Sequence, residues 1–268
     1  MMYAEVIGDP IAHSKSPLIH QFWLAELAIA ADYQAVPVTA AMLPDYFTAR
    51  RQQPDWRGCN ITIPHKIAAL DHVDDPGGVR NSIGAINTVF RNSDGALQGT
   101  NTDAAGFYAP LAEVDLTDRP VVVIGSGGAA RAILFALARM GVGPVTVLAR
   151  SPMKGAALLS LFGLKGAALP LATALPPAAL LVNASPLGMT GQPPLVLDLA
   201  PLPDDAIVYD IVYAPLTTAL LAAAEARGLA TIDGLDMLVG QAAIAFELFF
   251  GAEPPRDRDD ILRARLLQ

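Results

Sequence analysis

One cysteine, Cys59, stands among the 268 residues of this chain, which excludes an internal disulfide and a cysteine-built zinc cage. Charge is also scarce: 16% of residues are Asp, Glu, Lys or Arg against 53% apolar, a balance that suits a large buried core and excludes disorder and coiled coil. The net charge of -8 argues against a surface that binds nucleic acid or anionic lipid as a whole, because neutralising phosphates takes clustered Lys and Arg. Small anionic ligands remain open, since they need only a local patch. The longest uncharged stretch, residues 166–197, contains Pro170, Pro176, Pro177, Pro186, Pro193 and Pro194 and cannot be one continuous membrane-spanning helix. The opening MMYAEVIGDP has neither a basic n-region nor an apolar h-region, so a cytoplasmic protein without a membrane partner is expected. His13, His20, His65 and His72 lack metal-ligand spacing, and no metal is expected.

Strand and helix patterns alternate along the first part of the chain: strands over 3–7, 33–38 and 59–62, helices over 17–29 and 42–51. That alternation predicts a mostly parallel sheet with helices on both faces. Residues 86–91 and 96–98 read as a hairpin around Asn92-Ser93-Asp94-Gly95, and a helix follows from Asp103 to Leu111. A new start comes at the apolar run Val121 to Ile124, which is followed by a helix to about Met140, a strand over 145–148 and a helix from about Pro152. Further strands fall at 180–182 and 207–209, and two helices close the chain at 235–250 and 257–267. The expected organisation is a first α/β domain over 1–103, a doubly wound, Rossmann-like domain over 104–235, and C-terminal helices over 236–268.

Gly125-Ser126-Gly127-Gly128-Ala129-Ala130 lies between a buried strand and a helix and matches Gly-x-Gly-x-x-Gly/Ala in the setting that gives the pattern meaning. Glycines let the backbone approach a pyrophosphate, whose charge rests on unpaired N–H groups at the helix start. The bland alternative is a tight turn without a ligand. From Arg119 to Leu197 there is no Asp or Glu, while Arg119, Arg131, Arg139, Arg150, Lys154 and Lys165 all fall there. A basic segment in an acidic chain points to an anionic ligand. A site selective for NAD usually offers an acid about 20 positions after the first glycine, to hold the ribose 2′-hydroxyl. This chain has Ala149-Arg150-Ser151 there, with Lys154 one turn on, so NADP is favoured.

In the first domain Ser14-Lys15-Ser16-Pro17 precedes an apolar-periodic helix, with Ser16 a natural N-cap. The two serines also suit a carboxylate cradle, and both readings stand. The run Asn60-Ile61-Thr62-Ile63-Pro64-His65-Lys66 places Lys66 in the first turn of a helix, where a cation is locally unfavourable and a broken rule marks a site. Asp103, in Asn101-Thr102-Asp103, would be only a cap were there no lysine needing a partner; Asn87 ends the similar Gly84-Ala85-Ile86-Asn87-Thr88 segment. The residues support a Lys66/Asp103 pair handling a proton beside amides that hold hydroxyls. Cys59, on an apolar strand, reads as core.

Together these segments, with Asn183-Ala-Ser-Pro-Leu-Gly-Met189 and Gly234-Leu-Asp-Met-Leu-Val-Gly-Gln241, resemble the shikimate dehydrogenases over nearly the whole chain. The resemblance implies two α/β domains flanking a cleft, C-terminal helices returning to the first domain, and reversible NADPH-dependent reduction of 3-dehydroshikimate to shikimate. It implies that Ser14 and Ser16 hold the substrate carboxylate and that Thr62, Lys66, Asn87, Asp103 and Gln241 surround the ring hydroxyls, with Tyr213 nearby. For the cofactor it implies that Gly125, Ser126, Gly127, Gly128, Ala129 and Ala130 cradle the pyrophosphate. Arg150, Ser151 and Lys154 would take the 2′-phosphate, and Asn183, Ser185, Met189, Ile211 and Gly234 the nicotinamide side. Two positions depart from the family's usual pattern: Ala149 replaces an asparagine before the phosphate-reading arginine, and Asp236 replaces a glycine.

A relative acting on quinate or aminoshikimate with NAD is disfavoured by Ser16, where threonine would stand, and by Arg150 without a nearby acid. A non-catalytic NADPH sensor would need neither Lys66 nor Asp103. A nucleic-acid binder is disfavoured because Phe135 and Phe162 are the only aromatics in the basic segment. Monomer and homodimer both remain open.

Overall fold

The protein is described by a computed structural model over residues 1–267. In chain order its principal elements are β1 (Met2–Gly8), α1 (Ser16–Glu26), β2 (Ala31–Pro37), α2 (Leu43–Arg51), β3 (Trp56–Ile61), α3 (Val79–Ser82), β4 (Thr88–Arg91) and β5 (Leu97–Thr100). These are followed by α4 (Asp103–Tyr108), β6 (Val121–Ile124), α5 (Gly128–Met140), β7 (Val145–Ala149), α6 (Pro152–Leu161), β8 (Gly166–Pro170) and β9 (Leu180–Asn183). The last elements are β10 (Ile207–Asp210), α7 (Ala219–Ala226), β11 (Ala230–Ile232), α8 (Gly234–Phe250) and α9 (Asp259–Leu266). Two compact units result, one of Met1–Asp103 with the segment from Leu238 onward, the other of Ala104–Met237.

The first unit carries a five-stranded sheet in the order β2-β1-β3-β4-β5. β2, β1 and β3 are parallel; β4 and β5 return antiparallel, so this sheet is mixed rather than mostly parallel. The hairpin between β4 and β5 turns where Asn92 Oδ1 accepts the N–H groups of Asp94 and Ala96 and Gly95 takes φ +84°, a left-handed conformation suited to glycine. Its strands run four residues each, set by the register Thr88↔Thr100 to Arg91↔Leu97 rather than by the edges of the apolar pattern. Buried Glu5 on β1 is partnered by Tyr46, Arg50 and Trp56 Nε1. The C-terminal segment packs on α1: Lys15 Nζ donates to Leu266 O, Arg258 pairs with Glu26, and Arg265 lies over the Phe22 ring.

Two local expectations are corrected here. Ser16 is not the N-cap of α1 but its first residue; the flanking Lys15 makes no side-chain cap, and the Ser16 N–H points instead to Ser14 Oγ at 3.3 Å. Lys66 is not in the first turn of a helix: it lies in an irregular turn, and the next helical winding is a short 3₁₀ segment, Ala68–His72. Pro64 and the hydrogen bond from His65 N to Thr62 O make the chain turn before a helix can begin.

The second unit is a six-stranded parallel sheet in the order β11-β10-β9-β6-β7-β8, the doubly wound order with β6 as first strand. Alternation along β6 explains its two cores. Val121 and Val123 pack with Ile133, Leu134 and Leu137 of α5 and Leu158 of α6, while Val122 and Ile124 pack on the other face with Leu220, Leu221 and Ala224 of α7. β8 escapes a sequence reading because Gly166-Ala167-Ala168-Leu169-Pro170 has no β-branched residue and ends in proline at an edge. α7 is likewise nearly featureless by periodicity, being six alanine or leucine residues before Glu225; it starts where Thr218 accepts the Leu221 N–H.

His20 in α1 is fully buried, stacks on Tyr33 with ring centroids 3.9 Å apart, and has no hydrogen-bond partner on either ring nitrogen. Burial lowers its pKa from 6.5 to about 3. Between those values the unfolded chain binds the proton that the folded chain refuses, so the stabilisation is complete above pH 6.5 and is lost as pH falls. This one group is expected to cost about 2 kcal/mol of stability on going from pH 7 to pH 5. Urea unfolding at the two pH values checks it: His20→Phe should have a visibly flatter pH dependence than the wild type, and equal slopes would contradict the assignment.

Candidate active site

The polar cluster of the first unit is built at the ends of β3, β4 and β5. Beyond β3, Thr62 N donates to Ile7 O and Thr62 O accepts from His65 N. The His65 ring is 1% exposed, with Nε2 2.6 Å from Val38 O, so an imidazole pins this turn from behind instead of facing a ligand. Next in the chain, Lys66 accepts the Ile86 N–H on its carbonyl, and its ammonium forms an ion pair with Asp103 Oδ2. Their side chains are 15% and 6% exposed, so the pair is held largely out of water, where a charge contact is strong and a lost partner costly.

Asn87 organises the rest. Its Oδ1 accepts the Thr102 N–H at 2.7 Å, which turns its amide nitrogen toward Asp103 Oδ1 at 2.9 Å, Thr102 Oγ1 at 2.9 Å and Gln241 Oε1 at 3.2 Å. Asp103 therefore receives Lys66 on one oxygen and Asn87 on the other. Gln241, from α8, reaches the same cluster, with its own Nε2 bound to Leu238 O. Asn101 donates to Ala85 O, tying the segment around Asp103 to the one before Asn87. Lys66, Asn87, Asp103 and Gln241, expected from sequence to act together, are thus linked in one chain of contacts running Lys66–Asp103–Asn87–Gln241; Thr62 begins the turn that carries Lys66. Ser14 and Ser16 stand at the start of α1, with the Ser16 N–H on Ser14 Oγ. Among the described residues no group of three or more His, Cys, Asp or Glu could hold a metal.

In the second unit the glycine-rich segment joins β6 to α5. Gly125 has φ +110°, and a Cβ there would stand 2.8 Å from Ala184 O, so the close crossing of the β6 and β9 ends requires glycine. Gly127 is different. It flanks α5 as N-cap without a side-chain cap, and a Cβ there would meet nothing within 4 Å. Gly128, Ala129 and Ala130 form the first turn, whose N–H groups have no carbonyl of their own helix to bond. Open space over a bare helix start, with no acid in the first turn, fits a pyrophosphate. Arg150 and Lys154 are exposed around the start of α6, and Ser151, its N-cap, does not spend its hydroxyl on the cap. Cations at that end of a helix are favourable only beside an anion.

Asn183 ends β9 and fixes the following loop. Its Oδ1 accepts Ser185 N and Oγ, and its Nδ2 donates to Leu187 O and Asp210 Oδ1. Asp210 was not among the residues singled out from sequence, yet it is fully buried and accepts from Asn183, Val212 N and Thr218 Oγ1. Burial raises its carboxyl above the usual range, against the pull of those three donors. An acid ending a strand of a parallel sheet was the available signal. Ile211 and Gly234 adjoin each other, since a Cβ on Gly234 would stand 2.4 Å from Ile211 O; Met189 lies in the loop and Tyr213 is half-buried after β10. Thr102, Tyr33, Asn60 and Thr88 are further polar members of the first cluster that sequence reasoning left without a role.

Comparison with known proteins matches residues 6–89 to the family described as "Shikimate dehydrogenase substrate binding domain" and residues 234–259 to "Shikimate 5'-dehydrogenase C-terminal domain". The chain is 66% identical over 265 residues to a shikimate dehydrogenase (NADP(+)) of Sphingopyxis alaskensis, covering 99% of this chain and 97% of the relative. It is 48% identical to the enzyme of that name from Methylobacterium radiotolerans, over 97% of this chain and 96% of the relative. Among solved structures it is similar to shikimate 5-dehydrogenase from Thermus thermophilus in complex with NADP(H) and shikimate, at a TM-score of 0.86, 39% identity and full coverage of both chains.

Proposed function

The chain belongs to the shikimate dehydrogenase family, and on that premise we propose that Lys66 and Asp103 are its catalytic pair. The activity is the reversible NADPH-dependent reduction of 3-dehydroshikimate to shikimate, on the route to chorismate and the aromatic amino acids. The observation that carries the site assignment is the closed network in which Asp103 holds Lys66 on one oxygen and Asn87 on the other.

NADPH, when bound, supplies the hydride that reduces the substrate carbonyl. The Lys66 ammonium donates a proton from Nζ to the developing alkoxide oxygen, a step that the fixed position of its donor accelerates. Asp103 keeps that ammonium oriented and compensates its charge in a largely buried place. Asn87, Gln241 and Thr62 hold ring hydroxyls, with Tyr213 as a further substrate contact. Ser14 and Ser16, at the start of α1, hold the carboxylate. Gly125 to Ala130 hold the pyrophosphate, Arg150, Ser151 and Lys154 the 2′-phosphate, and Asn183, Ser185, Met189, Ile211 and Gly234 the nicotinamide side.

Arg150→Gln is expected to raise the KM for NADP roughly tenfold or more while leaving that for NAD nearly unchanged, because a guanidinium on a phosphate is a charge-assisted contact. Steady-state kinetics with both cofactors measure it; a proportional loss for NAD would assign Arg150 to the shared part of the cofactor. Ala149 offers no side-chain hydrogen bond beside it, so NADP preference in the wild type rests on Arg150, Ser151 and Lys154.

Among the described residues no helix is long and apolar enough to cross a membrane. A cytoplasmic monomer or homodimer, with no nucleic-acid partner, is the setting that suits a biosynthetic reductase of small molecules. Complementation tests the pathway role. A bacterial strain lacking its own shikimate dehydrogenase should regain growth without aromatic amino acids when supplied with this chain, and no growth despite folded, NADPH-binding protein would overturn the reading.

A further inference from the structure

We propose that Tyr33 is a positioning residue for this reaction, acting through Asn60 and Thr88 on Asn87 at the Lys66–Asp103 end of the substrate site. The inference rests on the reading of the site given above. Tyr33 is fully buried on β2, and its hydroxyl donates to Asn60 Oδ1 at 2.6 Å. Asn60, at 5% exposure on β3, donates from Nδ2 to Thr88 Oγ1 at 3.1 Å, and Thr88 Oγ1 lies 3.2 Å from Asn87 Oδ1, to which it donates.

The direction of each bond dictates the next. With Tyr33 donating, the carbonyl of Asn60 faces Tyr33 and its NH₂ faces Thr88. Thr88, having accepted, has its own proton to give to Asn87 Oδ1. Joining the Thr102 N–H on Asn87 Oδ1, that proton holds the Asn87 NH₂ toward Asp103 Oδ1 and Gln241 Oε1, the orientation the site needs. A phenylalanine would fill the core equally well at this position, so the buried hydroxyl is explained by what it orients. Parallel stacking on His20, at an interplanar angle of 2°, fixes the ring so that the hydroxyl keeps this acceptor.

Tyr33→Phe should lower kcat/KM for shikimate about tenfold, the scale of one buried hydrogen bond, while the KM for NADP and the far-ultraviolet spectrum stay as in the wild type. Thr88→Val cuts the same relay farther along and should give a similar loss, and the double variant should be no worse than the more severe single one. Wild-type constants in both single variants, or a double variant whose loss is the product of two independent losses, would overturn the proposal. If Tyr33→Phe does not fold, Thr88→Val decides alone: a tenfold loss supports the relay and unchanged constants refute it. A wild-type protein inactive on shikimate would instead sink the site assignment itself.

Discussion

Lys66→Ala is expected to lower kcat for shikimate oxidation about 10²- to 10⁴-fold while the KM for shikimate changes by no more than a few fold. The expectation follows from what the ammonium touches. In the direction of oxidation the group at Nζ must take the proton of the reacting hydroxyl, and in reduction it must give one; without it, water or the bare hydroxyl has to serve. The hydroxyls and carboxylate of the substrate would still meet Asn87, Gln241, Thr62, Ser14 and Ser16, so affinity should survive. Removing Lys66 also leaves Asp103, with a side chain 6% exposed, without its cationic partner, although Asn87 still donates to Oδ1. Lys66→Met, which keeps the stem, controls for that packing loss. A large rise in KM with unchanged kcat would reassign Lys66 to binding.

Gly127→Val is expected to weaken NADP binding at least 100-fold without shifting the melting temperature by more than a few degrees. Gly127 has φ -87°, which any residue adopts, and a Cβ there points into open space, so the fold has no reason to resist a side chain. The pyrophosphate does, because it needs the backbone itself within hydrogen-bond distance of its oxygens. Gly125→Ala should behave in the opposite way. With φ +110° and a Cβ 2.8 Å from Ala184 O, it should destabilise the second unit whether or not cofactor is present. Fluorescence titration with NADPH and a thermal melt separate the two. A Gly127→Val protein that binds NADPH normally would move the pyrophosphate away from this turn.

Most of this was legible before the structure, and for identifiable reasons. The β6 run Val121 to Ile124 is buried on both faces and followed at once by glycines, so a parallel strand leading to Gly125-Ser126-Gly127 could be placed from sequence. Lys66, Asn87 and Asp103 were visible because each sits in a short polar segment closing an apolar one. Their convergence, however, depends on the register of β3, β4 and β5, which no local pattern encodes. The helical setting expected for Lys66 failed because Pro64 and the Thr62–His65 turn outweigh the apolar spacing beyond them. Tyr33 was hidden for a different reason: it reads as an ordinary strand residue until its long-range partner, Asn60, is known. The β8 edge strand was lost to composition alone.

The most direct measurement is absorbance at 340 nm with purified protein, shikimate and NADP, repeated with NAD and with quinate. Rapid reduction of NADP by shikimate, with far slower rates in the other combinations, is the predicted result. Silence in all combinations from protein that still binds NADPH, or a preference for quinate with NAD, would contradict the assignment.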